Sequence, residues 1–327
     1  VVEISLHDLD LQLPKKALVT GGCGFIGSTI AVFLASEGVK GRVLDDLSLG
    51  KPDSLKPFER EIEFIHGDVR DYNTVREAVK GCEVVFHEAA RSSAPMLQRD
   101  PVDGYEVNVV GFLNVVRAMK EFSVKRLVYA STSSVYSKCK PPHREDMHVI
   151  PGSFYESSML AREHAARVFY ETEGLELVGL RYFSVYGPRE QHKGRYANIV
   201  TQFLWSMAKD EPPVIFGDGT QTRDFVYVED VVKANILAAT VEGIGGEVFN
   251  VGTGKATTFN EVVEMLNEAL GKDVKPRYVE NPIKNYVYHT QADTSKAEKV
   301  LGFKASVSLK EGIEKIVEYY ISQGKRA

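Results

Sequence analysis

The chain has 327 residues, 43% of them hydrophobic and 26% charged, with a formal net charge of −5. That length buries about three quarters of the unfolded surface in one large or two smaller cores, and the acidic balance argues against a nucleic-acid or anionic-membrane partner. There is no uninterrupted apolar run of membrane-spanning length and no signal-peptide pattern, and Cys23, Cys82 and Cys139 lack metal-ligand spacing, so the expectation is a cytoplasmic protein with reduced thiols and no metal.

Residues 1–14 precede the first core strand. The apolar run Ala17-Leu18-Val19 then leads into Thr20-Gly21-Gly22-Cys23-Gly24-Phe25-Ile26-Gly27. This order predicts a strand at 16–20, a tight turn, and a helix over 25–37. Gly21 lets the turn close, Gly24 lets backbone approach a pyrophosphate, and Gly27 lets the helix pack on the strand. The helix start, at Phe25 and Ile26, presents unpaired N–H groups and positive dipole to phosphates. A second strand at 41–45 ends on Asp45, 18 residues after Gly27. An acid there binds a ribose hydroxyl pair and repels a 2′-phosphate, which favours NAD over NADP.

Further strands are predicted at 62–66, 83–87, 125–131 and 175–181, and helices at 71–80, 101–122 and 153–173. Such alternation gives a parallel, doubly wound sheet with right-handed crossovers. His66-Gly67-Asp68-Val69-Arg70-Asp71 and Phe86-His87-Glu88-Ala89-Ala90 follow the third and fourth strands, at the carboxyl edge where open sheets bind ligands. After Arg181, glycines and prolines punctuate shorter elements, before a helix at 229–241 and a strand at 247–251 return to the main sheet. The expected architecture is α/β: a Rossmann-type NAD-binding domain of residues 1–181 plus about 223–254, and a smaller mixed α/β substrate lobe of about 182–222 plus 255–327. The two should enclose a cleft.

Tyr129-Ala130-Ser131-Thr132-Ser133-Ser134-Val135-Tyr136 closes the fifth strand with hydroxyls, and Ser153-Phe154-Tyr155-Glu156-Ser157-Ser158-Met159 opens a helix with Tyr155 and Met159 on one face. With Asp45-Asp46-Leu47-Ser48, Gly67-Asp68-Val69, His87-Glu88-Ala89-Ala90, Asn108-Val109-Val110-Gly111, Arg181-Tyr182-Phe183, Tyr186-Gly187-Pro188-Arg189, Gly217-Asp218-Gly219, Arg223-Asp224-Phe225-Val226 and Asn250-Val251-Gly252, these segments resemble the extended short-chain dehydrogenase/reductase family. The likeness runs from residue 16 to nearly the end and is strongest to NAD-dependent nucleotide-sugar epimerases.

The resemblance implies that Tyr155 removes the proton of a sugar hydroxyl while the carbon-bound hydride passes to NAD, and that Thr132 hydrogen-bonds the reacting oxygen. Ser133 and Ser134 would line the sugar. They stand where dehydratases of the family carry an Asp-Glu pair, which favours epimerisation. Asp45 would hold the ribose with Asp46 also at the cofactor, Asp68 and Val69 the adenine, Ala89 and Ala90 the pyrophosphate-ribose side, and Tyr182 the nicotinamide end, with Asn108 behind the site. Ser184, Asn198, Arg223, Lys284 and Thr290 would face the nucleotide sugar. Ser184 fills the slot of a diphosphate-binding asparagine, Lys284 stands in for an absent arginine, and a small Thr290 leaves room for an N-acetyl group. The implied reaction is epimerisation at C4 of a UDP-hexose; an ADP-sugar epimerase, a decarboxylase, a reductase and a non-catalytic binding protein are alternatives. Relatives pair the helices at 101–122 and 153–173 across a dimer, so a homodimer is expected.

The family's Tyr-x-x-x-Lys motif is broken here, because Met159 occupies the lysine slot. A free tyrosine titrates near 10, and bringing it down by about three units requires about 4 kcal/mol of field. Met159 supplies none. Either another group supplies that field, or Met159 is a substitution that traps ligand, or catalysis has been lost; a working natural enzyme leads. His87 is expected to be structural.

Overall fold

The computed structural model describes residues 12–283 and 286–324; Lys284 and residues 1–11 lie outside them. In chain order the main-sheet half runs β1 (Lys16–Thr20), α1 (Phe25–Ser36), β2 (Lys40–Asp45), β3 (Ile62–His66), α2 (Tyr72–Val79), β4 (Val84–His87), α3 (Ala94–Arg99), α4 (Pro101–Tyr105), α5 (Gly111–Glu121), β5 (Arg126–Thr132), α6 (Phe154–Glu173) and β6 (Glu176–Tyr182). The remainder runs β7 (Ser184–Tyr186), α7 (Ile199–Ala208), β8 (Val214–Phe216), β9 (Thr222–Arg223), β10 (Phe225–Tyr227), α8 (Val228–Thr240), β11 (Val248–Val251), β12 (Thr257–Thr258), α9 (Phe259–Leu270), β13 (Arg277–Val279) and α10 (Leu309–Gly324).

Seven strands form one parallel sheet in the order β11-β6-β5-β4-β1-β2-β3. The winding reverses between β1 and β4, so the crevice for a ligand opens at the carboxyl ends of those two strands. Alternate residues of each strand feed opposite faces. Ala17, Val19, Phe86, Val128 and Leu180 pack towards α1 and α8, whereas Leu18, Val85, Leu127 and Leu177 pack towards α2 and α5. A third apolar cluster joins Tyr186, Phe203, Leu204, Phe259, Leu266 and Ile316 from β7, α7, α9 and α10. Among the described residues, no helix is long and apolar enough to cross a membrane.

The segment predicted as one helix at 101–122 is divided. Pro101 and the Asp100 side chain, which accepts from the Asp103 amide, start α4, and a π-turn over Glu106–Val110 separates it from α5. The wider turn holds Asn108 fully inside, where its Oδ1 accepts from the Arg91 amide at 2.8 Å and its Nδ2 donates to Ser158 Oγ at 3.0 Å. Helix α6 opens on Ser153, whose hydroxyl accepts from the Glu156 amide, and stops at Gly174 in the left-handed region (φ 67°).

A buried ion pair fastens α6 to the sheet. Arg181 Nη2 lies 2.6 Å from Glu163 Oε2, Arg181 Nη1 donates to Tyr136 Oη at 2.7 Å, and Tyr136 donates to Asn250 Oδ1 at 2.8 Å. Ser131 donates to the same Glu163 carboxylate, so β5, β6, β11 and α6 share one network. Glu163→Ala leaves Arg181 buried without its counter-charge and is expected to cost about 3–5 kcal/mol in a chemical denaturation series; a loss below 1 kcal/mol contradicts this account of the network.

Candidate active site

A cavity of about 450 Å³ opens at the carboxyl ends of β1 and β4, and the glycine turn forms one wall of it. Gly21 sits at φ 67°, and a Cβ there would come within 2.7 Å of the Ala89 amide nitrogen. A Cβ on Gly27 would collide with the Gly21 carbonyl oxygen, so only glycine lets α1 seat on the turn. No side chain caps α1, and Gly24, Phe25, Ile26 and Gly27 all line the cavity. The first-turn N–H groups are therefore available to an anion.

Along the β2 edge, Asp45 is buried, accepting from the Cys23 amide at 2.9 Å and the Leu47 amide at 2.8 Å. Burial raises its carboxyl above the usual range, and those two hydrogen bonds oppose it. Asp46 accepts from the Ser48 amide and lies 3.6 Å from Arg91 Nη1. For Asp68 burial pushes upward, but hydrogen bonds from Arg70, one at 2.6 Å, outweigh it and hold the carboxyl below its ordinary value. Val69, Ala89 and Ala90 complete this end. The Cys23 thiol is pushed up to about 12, by burial and then by Asp45, and is inert as a nucleophile.

Elsewhere in the cavity stand Thr132, Ser134, Tyr155, Met159, Tyr182, Ser184 and Asn198. Thr132 ends β5, and its hydroxyl accepts from the Ser134 amide at 3.1 Å. Tyr155 lies in the first turn of α6, 8% exposed, packed with Met159, Leu97, Ala94 and Met96. Burial raises the Tyr155 phenol; the Thr132 hydroxyl and the charge of Arg162 pull the other way. Tyr182 donates to Glu88 Oε1 at 2.9 Å and accepts from Asn235 Nδ2 at 2.8 Å. Burial pushes Glu88 up to about 7.

Not every residue singled out from sequence reaches this cavity. Asn108 lies behind it, and Ser133, Arg223 and Thr290 do not line it. Arg223 donates to the Thr222 and Tyr288 carbonyls, and the Thr290 hydroxyl accepts from the Asp224 amide at 3.3 Å. Asn198 lines the cavity and also caps α7, accepting from the Val200 amide. His87 is fully buried, with Nδ1 2.8 Å from Thr20 Oγ1, and burial holds it neutral. Sequence reasoning missed Arg162, and it gave Glu88 no task. Arg162 was findable as a charged residue seven places after Tyr155 on an otherwise apolar stripe.

The pattern defining the NAD dependent epimerase/dehydratase family matches residues 17–252. The chain belongs to that family. Among its relatives is a UDP-glucose 4-epimerase of Mycolicibacterium smegmatis, 36% identical, with 93% of this chain and 98% of that one aligned. A UDP-N-acetylglucosamine 4-epimerase from Methanobrevibacter ruminantium, solved with UDP-N-acetylmuramic acid, superposes with a TM-score of 0.89 at 33% identity, over 95% of this chain and all of that one. A Thermus thermophilus UDP-glucose 4-epimerase, solved with NAD, gives 0.84 at 33% identity, covering 94% and 99%. These neighbours share the Rossmann-like parallel sheet, and NAD is the cofactor of this epimerase-family chain. The glycine cradle, the uncapped α1 and the buried Asp45 fit that dinucleotide.

Gly27→Ala must displace α1 from the turn. NAD affinity measured by calorimetry is expected to fall by about tenfold or more, equal to about 1.4 kcal/mol; unchanged affinity in a folded variant contradicts the close-approach account.

Proposed function

We propose that the chain epimerises a nucleotide sugar at C4, most simply UDP-glucose and UDP-galactose or their N-acetyl forms. NAD, when bound, would supply the acceptor for the C4 hydride and its return to the opposite face of the sugar. Tyr155 removes the C4 hydroxyl proton as the carbonyl forms and gives it back as the carbonyl is reduced. Thr132 holds the same oxygen, Ser134 lines the sugar, and Ser184 and Asn198 face the nucleotide part. Asp45 and Asp46 take the adenosine ribose, Asp68 and Val69 the adenine, Ala89 and Ala90 the pyrophosphate side, and Tyr182 the nicotinamide end. The observation that carries the proposal is that Tyr155 and Thr132 line the same cavity as the glycine turn.

Two lobes meet at this cavity in the proposed organisation: residues 1–181 with 223–254 for the dinucleotide, and 182–222 with 255–327 for the sugar nucleotide. Decarboxylation of a uronic-acid nucleotide is a second reading. It is favoured by Arg189, which lines the cavity with a buried Nη1 that has no partner among the described residues. A uronate substrate would then release carbon dioxide. Three free thiols accord with a cytoplasmic setting. We also propose a homodimer through the exposed Leu113 of α5 and the exposed Phe154 and Val168 of α6; sedimentation is expected to give twice the chain mass, and a monomer at micromolar concentration contradicts it.

Incubation with UDP-glucose or UDP-N-acetylglucosamine, followed by NMR, should yield C4 epimers without net NADH. Tyr155→Phe should lower turnover by roughly 10²–10⁴-fold, and retained turnover removes Tyr155 as the acid/base. Because burial raises the phenol, the deprotonated base is scarce at neutral pH. Turnover is therefore expected to climb from pH 7 towards pH 9, and a rate that falls over that interval contradicts the assignment.

A further inference from the structure

Arg162 is a large side chain with no exposed surface. It makes no ion pair among the described residues. Its Nε donates to the Asn108 carbonyl, Nη2 to the Ala89 carbonyl at 2.9 Å and Nη1 to the Ala130 carbonyl at 3.3 Å. Ala89 and Ala130 both line the active-site cavity, so the guanidinium lies directly beneath its floor. A buried cation held by carbonyls alone is costly, and a position that only needed filling would be better served by an apolar side chain.

The placement along α6 gives that cost a purpose. Arg162 comes seven residues after Tyr155, two turns on along the same stripe, and long helical side chains lean back towards the N-terminus, here towards the phenol. Met159, between them, is apolar and packs against Tyr155 and Leu97. We propose that Arg162 is the fixed positive charge that keeps the Tyr155 phenol reactive, taking over from two turns away the task for which position 159 holds no cation. This rests on Tyr155 being the acid/base.

The other groups around the pair are few. Glu156 adjoins Tyr155 and raises its phenol, but its carboxylate is engaged by the Gly152 amide and the Ser137 hydroxyl. Thr132 faces the phenol from β5. His87 from β4, Glu88 just after it and Tyr129 from β5 face Arg162. His87 is held neutral, the Tyr129 phenol is raised far above its usual value, and Glu88 sits near 7. None cancels the guanidinium fully at neutral pH. Arg162 in turn lowers the phenol against the effect of burial.

The test is the pH profile of kcat for the NAD-loaded full chain acting on UDP-glucose or UDP-N-acetylglucosamine. In Arg162→Met the rising limb should move at least one unit to alkaline, a fall of about tenfold at pH 7, with KM changed much less. Arg162→Lys should stay near the parent profile, and Met159→Lys added to Arg162→Met should bring the limb back. If Arg162→Met does not fold, Arg162→Gln, which keeps an amide donor for the carbonyls, is measured in its place with the same expectation. A folded, NAD-binding Arg162→Met or Arg162→Gln with an unmoved limb overturns the proposal while leaving Tyr155 in place. Full activity in Tyr155→Phe overturns the parent assignment instead.

Discussion

One buried guanidinium sits where four parts of the fold converge. Through Arg162, α6 is tied to the π-turn at Asn108, to Ala89 after β4 and to Ala130 within β5. These segments form the floor of the cavity, so the position of Tyr155 relative to the glycine turn depends on that convergence. The partners are carbonyls rather than carboxylates, and the positive charge is therefore directed rather than quenched. The Arg181–Glu163 pair, one residue further along α6, anchors the same helix to β6 with a fully compensated charge. The two adjacent positions thus divide the work, Glu163 fixing the helix and Arg162 shaping the field above it.

The dinucleotide end is governed by closeness of backbone rather than by charge. A Cβ on Gly21 would press on the Ala89 backbone, and one on Gly27 would press on the Gly21 carbonyl. The amides of an uncapped helix are then the local donors, and Asp45 is held ready by two backbone N–H groups. Pre-positioned donors and acceptors of this kind bind with little reorganisation.

Much of this was legible from sequence because the period of apolar residues and the glycine spacing are local. The runs at 16–20 and 62–66 became β1 and β3 with the same bounds, and Asp45, Ala89, Thr132 and Tyr155 converge because strand ends in a parallel sheet share one edge. The π-turn at 106–110 was not legible, since an extra residue in an apolar helix barely alters the 3.6 repeat. Arg162 was overlooked because arginine on a helix ordinarily faces water; its burial comes from β4, β5 and the π-turn, which are remote in sequence. Arg223 and Thr290 fall beside the cavity rather than in it because β9 pairs with β12 and Thr290 bonds the Asp224 amide, contacts that no spacing announces. Lys284 lies outside the described residues.

The central claim is that the carbon-bound hydrogen never leaves the cavity, while the phenol of Tyr155 handles only the oxygen-bound proton. UDP-glucose carrying deuterium at C4, turned over to equilibrium in ordinary water and analysed by NMR, tests this directly. The account predicts epimeric product with the deuterium still at C4. Loss of the label to solvent at the rate of epimerisation would mean that carbon is deprotonated by a protein base, and would contradict it.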